Sequence, residues 1–172
     1  MIFVRAETSG DRAAVRRVNE QAFGQPNEAG LVEALREAAD TTTALISLVA
    51  VEGDEVVGHI LFSPVTIEAG DSVTVEMGLA PMAVLPGRQN RGIGSLLVKE
   101  GLEECRRAGR HVVFVLGHPE YYPRFGFAPA GPKGLRCEYP VPEEAFMVAE
   151  LTPGALAGRQ GLVKYRPEFD RV

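Results

Sequence analysis

The sequence predicts an α/β (α+β) fold, a mixed sheet of about six to seven strands with an antiparallel N-terminal meander, a central parallel strand pair, and helices on both faces. Three observations lead there. Residues 43–51, 56–67 and 73–85 are β-branched and apolar runs separated by the turn signals Glu52-Gly53-Asp54-Glu55 and Gly70-Asp71, which makes a three-strand antiparallel meander. Residues 79–108 read as strand, glycine turn and amphipathic helix, and 111–116 returns as a strand. Strand–helix–strand connections of this kind are right-handed and parallel, so 111–116 runs alongside 73–85. The apolar runs are near-continuous rather than alternating, the pattern of a sheet covered on both faces.

The remaining elements follow from local signals. Residues 2–5 form a short strand, and Thr8, Ser9 and Asp11 are candidate caps for the next helix, because their side-chain oxygens can accept the free N–H groups of a first turn. Val15, Val18, Asn19, Ala22 and Phe23 fall at helical spacing and form one core-facing stripe. Gly24-Gln25-Pro26-Asn27 ends that helix, and a second begins near Glu28 with Leu31, Ala34, Leu35 and Ala38 on one face. In the third helix Leu96, Leu97, Val98, Leu102, Cys105 and Ala108 face the sheet, and Gly109 ends it. Pro119 suits the start of a short helix reaching Tyr122, and Phe125-Gly126-Phe127 starts the next strand. Residues 128–142, rich in Pro and Gly, read as an irregular loop; 146–151 and 161–165 are the last strands, and the polar tail from Arg166 frays.

Composition excludes several classes. At 172 residues, with 45% hydrophobic and 24% charged, the chain suits one domain spanning 1–172. The apolar runs fall short of the ~20 residues of a membrane span. The start MIFVRAETSGDRA lacks the basic-then-apolar order of a signal peptide, so a cytoplasmic location is expected. A net charge of −5 argues against nucleic acid as a partner, since phosphate-backbone binding rests on clustered Lys and Arg. Cys105 and Cys137 give neither a disulfide framework nor a metal-ligand spacing. Nothing in the sequence chooses between a monomer and a homodimer.

The chemistry concentrates at the glycine turn. A helix opening near Gly92 leaves its first N–H groups without intrahelical partners at the positive end of the helix dipole, where a phosphate fits. Gly92 and Gly94 are expected to allow close backbone approach and positive φ, and Arg88 and Arg91 to add two cations. A nucleotide P-loop fails, because Ile93-Gly94 stand where Lys-Ser/Thr is needed. The dinucleotide fingerprint fails as well, because no third glycine follows Gly92-Ile93-Gly94. Gln89-Asn90-Arg91-Gly92-Ile93-Gly94 does fit a Q-x-x-G-x-G turn.

With that turn the sequence resembles the GNAT superfamily of acyl-CoA-dependent N-acetyltransferases, whose pyrophosphate loop carries a Q/R-x-x-G-x-G/A signature between a strand and a helix. A second segment strengthens the likeness: His118-Pro119-Glu120-Tyr121-Tyr122-Pro123-Arg124-Phe125-Gly126-Phe127 resembles the family's Y-x-x-x-G-F segment, with Tyr122 as its tyrosine. The YY-x-RFGF form and the long tail look like the YhbS-like bacterial branch.

The resemblance implies a single N-acetyltransferase domain that transfers the acetyl group of acetyl-CoA to an amine, in a ternary complex and without a metal. It implies that the pantetheine arm lies along the backbone of Met82, Ala83 and Val84, in a gap where two parallel strands diverge. Arg88, Gln89, Asn90, Arg91, Gly92, Ile93, Gly94 and Ser95 would surround the pyrophosphate, and a strand N–H near Val84 would meet the thioester oxygen. The two N-terminal helices and their loop, residues 23–27, often help wall the acceptor site in this family, though the same residues also read as a plain helix connection.

Tyr122 is the candidate general acid, since a phenol with a pKa near 10 can hydrogen-bond a leaving thiolate and protonate it. The base is open. Some family members carry a glutamate eleven residues ahead of the motif's Gln, which lands here on Gly78. Glu76, two residues earlier and on the same strand face, is a substitute; His59, His118 and a water chain are others. The rival reading is a non-catalytic acyl-CoA-binding or regulatory module on the same fold.

Overall fold

The computed structural model describes residues 1–39 and 44–172. Residue 43, the expected start of the second strand, lies outside them. The chain divides into one compact unit of residues 1–63, 80–104 and 167–172 and another of residues 64–79 and 105–166. Two strands, β3 (Glu55–Ala69) and β4 (Ser72–Val84), run through both.

The first unit is built on β1 (Ile2–Ala6), β2 (Ile46–Glu52), β3 and β4, hydrogen-bonded in that order. The β1/β2 and β2/β3 pairs are antiparallel, with Ser47 opposite Leu61 and Val49 opposite His59. Gly53 takes φ 64° at the β2–β3 turn, as a tight hairpin requires. Helices α1 (Arg12–Phe23), α2 (Asn27–Ala38) and α3 (Ile93–Arg107) complete it, α3 ending beyond this unit. Successive strand residues point to opposite faces, and β3 shows both covered. On one face Asn19 of α1 reaches His59; on the other, a Cβ at Gly58 would meet Leu97 at 3.0 Å and one at Gly101 would meet Phe62 at 2.3 Å.

Asp11 stands at the N-cap position of α1 but makes no side-chain bond to the helix; its carboxylate instead receives a guanidinium fork from Arg5 (2.7 and 3.0 Å) and the Thr8 N–H (2.7 Å). The Arg5 bonds, assisted by Thr8, hold its carboxyl well below the usual range. The predicted stripe of α1 is shorter than expected. Val15, Val18 and Asn19 are buried, whereas Phe23 at the end of the helix is exposed. The tail also differs. Pro167–Arg171 forms a 3-10 turn packed against α2, and Phe169 buries its ring.

In the second unit, β3 and β4 continue to β5 (Val112–Leu116), β8 (Phe146–Glu150) and β6 (Ala128–Pro129) in that order. The β4/β5 pair is parallel, Met77 opposite Val113 and Leu79 opposite Val115, as the crossover rule predicts. The sheet holds nine strands among the described residues, more than expected, because the stretch 128–142 is not simply a loop. It contains β6 and β7 (Leu135–Cys137); β7 runs parallel to β9 (Gly161–Lys164), which pairs with β3. Such short strands are fixed by distant partners rather than by local pattern. The helix expected from Pro119 is a 3-10 turn at Tyr122–Phe125, so Phe125 belongs to the turn and the strand after it opens at Ala128.

Candidate functional site

The glycine turn lies in the first unit. After β4 a 3-10 turn at Pro86–Arg88 leads into extended Gln89, whose side-chain amide donates to the Val84 carbonyl at 3.1 Å. Asn90 and Gly92 then take φ 62° and 82°, and α3 starts at Ile93, its first turn closed by the Leu96 N–H to the Gly92 carbonyl at 3.1 Å. Two left-handed residues just ahead of a helix turn successive N–H groups toward one side, the geometry of an anion cradle. A Cβ at Gly92 would touch nothing within 4 Å, so the space over it is open. The expected pair of left-handed glycines is thereby corrected: Gly94 lies inside α3, and Asn90, a residue type that tolerates this conformation, takes the other position.

The two arginines of the turn are not free cations. Arg88 donates to Glu52 at 2.7 Å and to Glu55 at 3.3 Å, and Arg91 donates to Glu52 at 2.9 Å. Arg88 foremost, then Arg91, pull the Glu52 carboxyl below its ordinary pKa. On the neighbouring strand Met82 is half-buried, while Ala83 and Val84 are buried.

Tyr122 lies in the second unit. Its ring is 7% exposed and packs edge-on against Phe127 and Tyr121, with centroids 5.6 and 5.1 Å away. Gly117 makes the room, since a Cβ there would stand 2.4 Å from Tyr122 Cε2. Burial pushes the Tyr122 phenol up to about 12, so it stays protonated at neutral pH.

Glu76, the substitute base, has a different task. One carboxylate oxygen accepts the His111 and Val112 N–H groups at 3.1 and 3.2 Å, and the other accepts Arg159 at 2.9 Å. At 4% exposure it fixes the start of β5 beside β4, with both oxygens already engaged, which corrects the expectation that it serves as the base. Gly78 has a packing reason for lacking a side chain: a Cβ would stand 2.8 Å from Val65 Cγ1 and 2.9 Å from Tyr165 Cε2. Tyr165 therefore fills the space a glutamate would need, a role with no local sequence signal. His59 is also excluded. It is fully buried between Asn19 (3.1 Å) and Ser47 (2.9 Å), and burial, with Arg36 nearby, lowers its pKa to about 3. His118 is exposed, and its carbonyl accepts the Tyr121 and Tyr122 N–H groups. No cluster of three or more His, Cys, Asp or Glu suited to a metal occurs among the described residues.

This geometry has known relatives. Residues 4–130 match the family model described as an acetyltransferase (GNAT) domain. The chain belongs to the GNAT acetyltransferase family. Within the family it is 43% identical over 154 residues to the N-acetyltransferase YjhQ of Escherichia coli K12, covering 86% of this chain and 84% of the relative. It superposes on the crystal structure of the GNAT N-acetyltransferase YhbS of Escherichia coli, in complex with CoA, at a TM-score of 0.91 and 36% identity, covering 99% of this chain and 92% of that one. A GNAT acetyltransferase of Brucella melitensis in complex with acetyl-CoA gives a TM-score of 0.80 and 36% identity over 99% of both chains. The expected likeness to the YhbS-like branch thus holds over nearly the whole GNAT chain, and its mixed sheet with helices on both faces is the fold of these structures.

Proposed function

We propose that this protein transfers the acetyl group of acetyl-CoA to an amine, and that residues 1–172 act as one cytoplasmic N-acetyltransferase domain. The observation that carries the reading is the turn in which Asn90 and Gly92 adopt positive φ just before α3, with open space over Gly92. Relatives of the same fold at 36% identity hold CoA and acetyl-CoA. On this reading the backbone from Gln89 to Ser95 receives the diphosphate, and Met82, Ala83 and Val84 follow the pantetheine. No helix among the described residues is long and apolar enough to cross a membrane.

The neutral amine attacks the thioester carbonyl, forming the C–N bond; collapse of the tetrahedral intermediate breaks C–S and releases the thiolate. Tyr122 is assigned as the group that meets that thiolate. With its pKa raised to about 12, complete proton transfer to a thiolate of pKa about 8.5 is uphill by roughly 5 kcal/mol. The phenol therefore works as a hydrogen-bond donor to the developing charge and keeps its proton, and the released thiolate takes its proton from solvent. The proton that the incoming ammonium loses before attack, and the one its nitrogen sheds from the tetrahedral intermediate, both leave through water, consistent with Glu76 and His59 both being committed elsewhere.

The test is a thermal-shift titration of the full chain with acetyl-CoA, CoA, ATP and NAD, followed by thiol release from acetyl-CoA across an amine panel. At 100 times its dissociation constant a ligand adds about 2.7 kcal/mol. Selective stabilisation by the two coenzyme A species is expected, with thiol release dependent on an amine. Stabilisation by ATP or NAD instead would refute the donor, and stabilisation by acetyl-CoA with no turnover on any amine would leave a binding module.

A further inference from the structure

A cavity of about 480 Å³ opens in the first unit, in the size range of small-molecule sites. It lies between the start of α1, the end of α2 and the start of β2, and Glu7, Arg12, Arg36 and Ser47 line it together with the apolar Val32 and Leu61. Ser47 and Glu52 are five positions apart on β2, and Glu52 is where Arg88 and Arg91 attach. At about 3.3 Å per residue the cavity therefore lies roughly 16 Å from that anchor of the glycine turn.

Its polar wall is part of an ordered hydrogen-bond chain. Glu7, a carboxylate beside Arg36, can only accept, so the Ser47 hydroxyl donates to it at 2.7 Å. Ser47 Oγ in turn accepts the His59 Nε2–H at 2.9 Å, which leaves His59 Nδ1 to accept from the Asn19 amide at 3.1 Å. Every proton in the chain points toward Glu7. His59 therefore cannot draw a proton from Ser47, and a hydrolytic serine is excluded. What the wall offers a ligand is charge. Glu7 neutralises Arg36, whereas Arg12 lines the same cavity with no ion pair or hydrogen bond among the described residues.

From one unmatched guanidinium, Ser9 in the same lining, and an apolar wall of Val32, Leu45 and Leu61, we infer that this cavity binds a small molecule carrying a single carboxylate on a short aliphatic body. The carboxylate pairs with Arg12, which can present a two-pronged donor, and the carbon chain lies on Val32 and Leu61. The site is separate from the donor turn and does not depend on the acetyl-transfer reading.

The experiment is an amide NMR titration of the full-length chain with hexanoate, hexylamine and inorganic phosphate at constant ionic strength. Hexanoate is expected to shift the amides of Thr8, Ser9, Arg12 and Ser47 and to bind at least ten-fold more tightly than hexylamine, while phosphate alone leaves those amides in place. Arg12→Gln, a change on the exposed surface, is expected to weaken hexanoate at least five-fold with the acetyl-CoA thermal shift unchanged. Hexylamine matching hexanoate, phosphate matching hexanoate, or hexanoate binding equally to Arg12→Gln would each overturn the assignment. A wild-type chain that binds hexanoate but not acetyl-CoA would sink only the donor reading.

Discussion

Two carboxylates, Glu76 in the second unit and Glu52 in the first, each hold arginine, and their surroundings give the same chemistry opposite meanings. Glu76 has a side chain only 6% exposed and fixes Arg159 together with two backbone N–H groups at the start of β5. Glu52, with a quarter of its side chain exposed, holds Arg88 and Arg91 at the rim of the glycine turn. Breaking a buried pair strands a charge without water, whereas a surface pair can exchange its partner for solvent or for an incoming anion at little cost. The first arrangement builds the fold; on the proposed function, the second would yield to the phosphates of the donor.

The sharpest way to break this contrast is to remove the buried carboxylate. Glu76→Ala is expected to cost about 3–5 kcal/mol, lowering the melting temperature by on the order of 10 °C for a domain of this size. A variant that melts like the wild type yet fails to turn over acetyl-CoA would restore Glu76 as a base. The buried histidine of the first unit supplies the next effect. His59 ordinarily titrates at 6.5 and in the fold at about 3, so between those values the unfolded chain binds the extra proton. Its contribution is complete above pH 6.5 and is lost as pH falls toward 3, at up to about 1.4 kcal/mol per pH unit. Urea unfolding from pH 7 to 4 should show that slope, and His59→Gln should flatten it; an identical slope in both proteins would show that the imidazole is not the group titrating.

Turnover offers finer probes. Tyr122→Phe is expected to lower the rate of thiol release at least ten-fold with donor binding retained, because removing one preorganised donor to a developing anion typically costs ~10²–10³. Gly117→Ala, which would press a methyl against the Tyr122 ring, should reduce the rate in the same sense. An unchanged rate in Tyr122→Phe would make that side chain a packing residue beside Phe127. The smallest effect belongs to the exposed pair. Glu52→Gln releases the charge pairing on Arg91, leaves Arg88 with Glu55 alone and removes a negative charge from the turn, so acetyl-CoA affinity should rise roughly two- to five-fold in low salt, less in high salt. Weaker binding, measured by calorimetry, would mean that Glu52 positions the arginines rather than competing for them.

Much of this molecule is written locally. Gly53 and Gly70 mark the two hairpin turns, the run from Leu79 to Cys105 spells strand, turn and helix, and the handedness of that crossover sets β5 parallel to β4. The turn and the segment around Tyr122 together carry the resemblance to the family to which the chain belongs. The pieces that were not legible depend on partners far along the chain. β7 exists because Gly161 to Val163 pair with it. Phe169 is ordered because α2 receives it. Nothing near Arg88 announces that Glu52, 36 residues earlier, will hold it.

Sequence alone therefore determined the order of elements, the parallel pair and the glycine turn, because periodicity, turn chemistry and crossover handedness act over a few neighbouring residues; the family came from the resemblance of two motifs. Tertiary structure decided which polar groups are available for chemistry. Glu76 and His59 look like bases in the sequence, and they stop being so only because Arg159, two strand N–H groups, Asn19 and Ser47 converge on them in the fold. Burial and hydrogen bonding set the charge and reach of an ionisable side chain, and both come from residues brought together by folding.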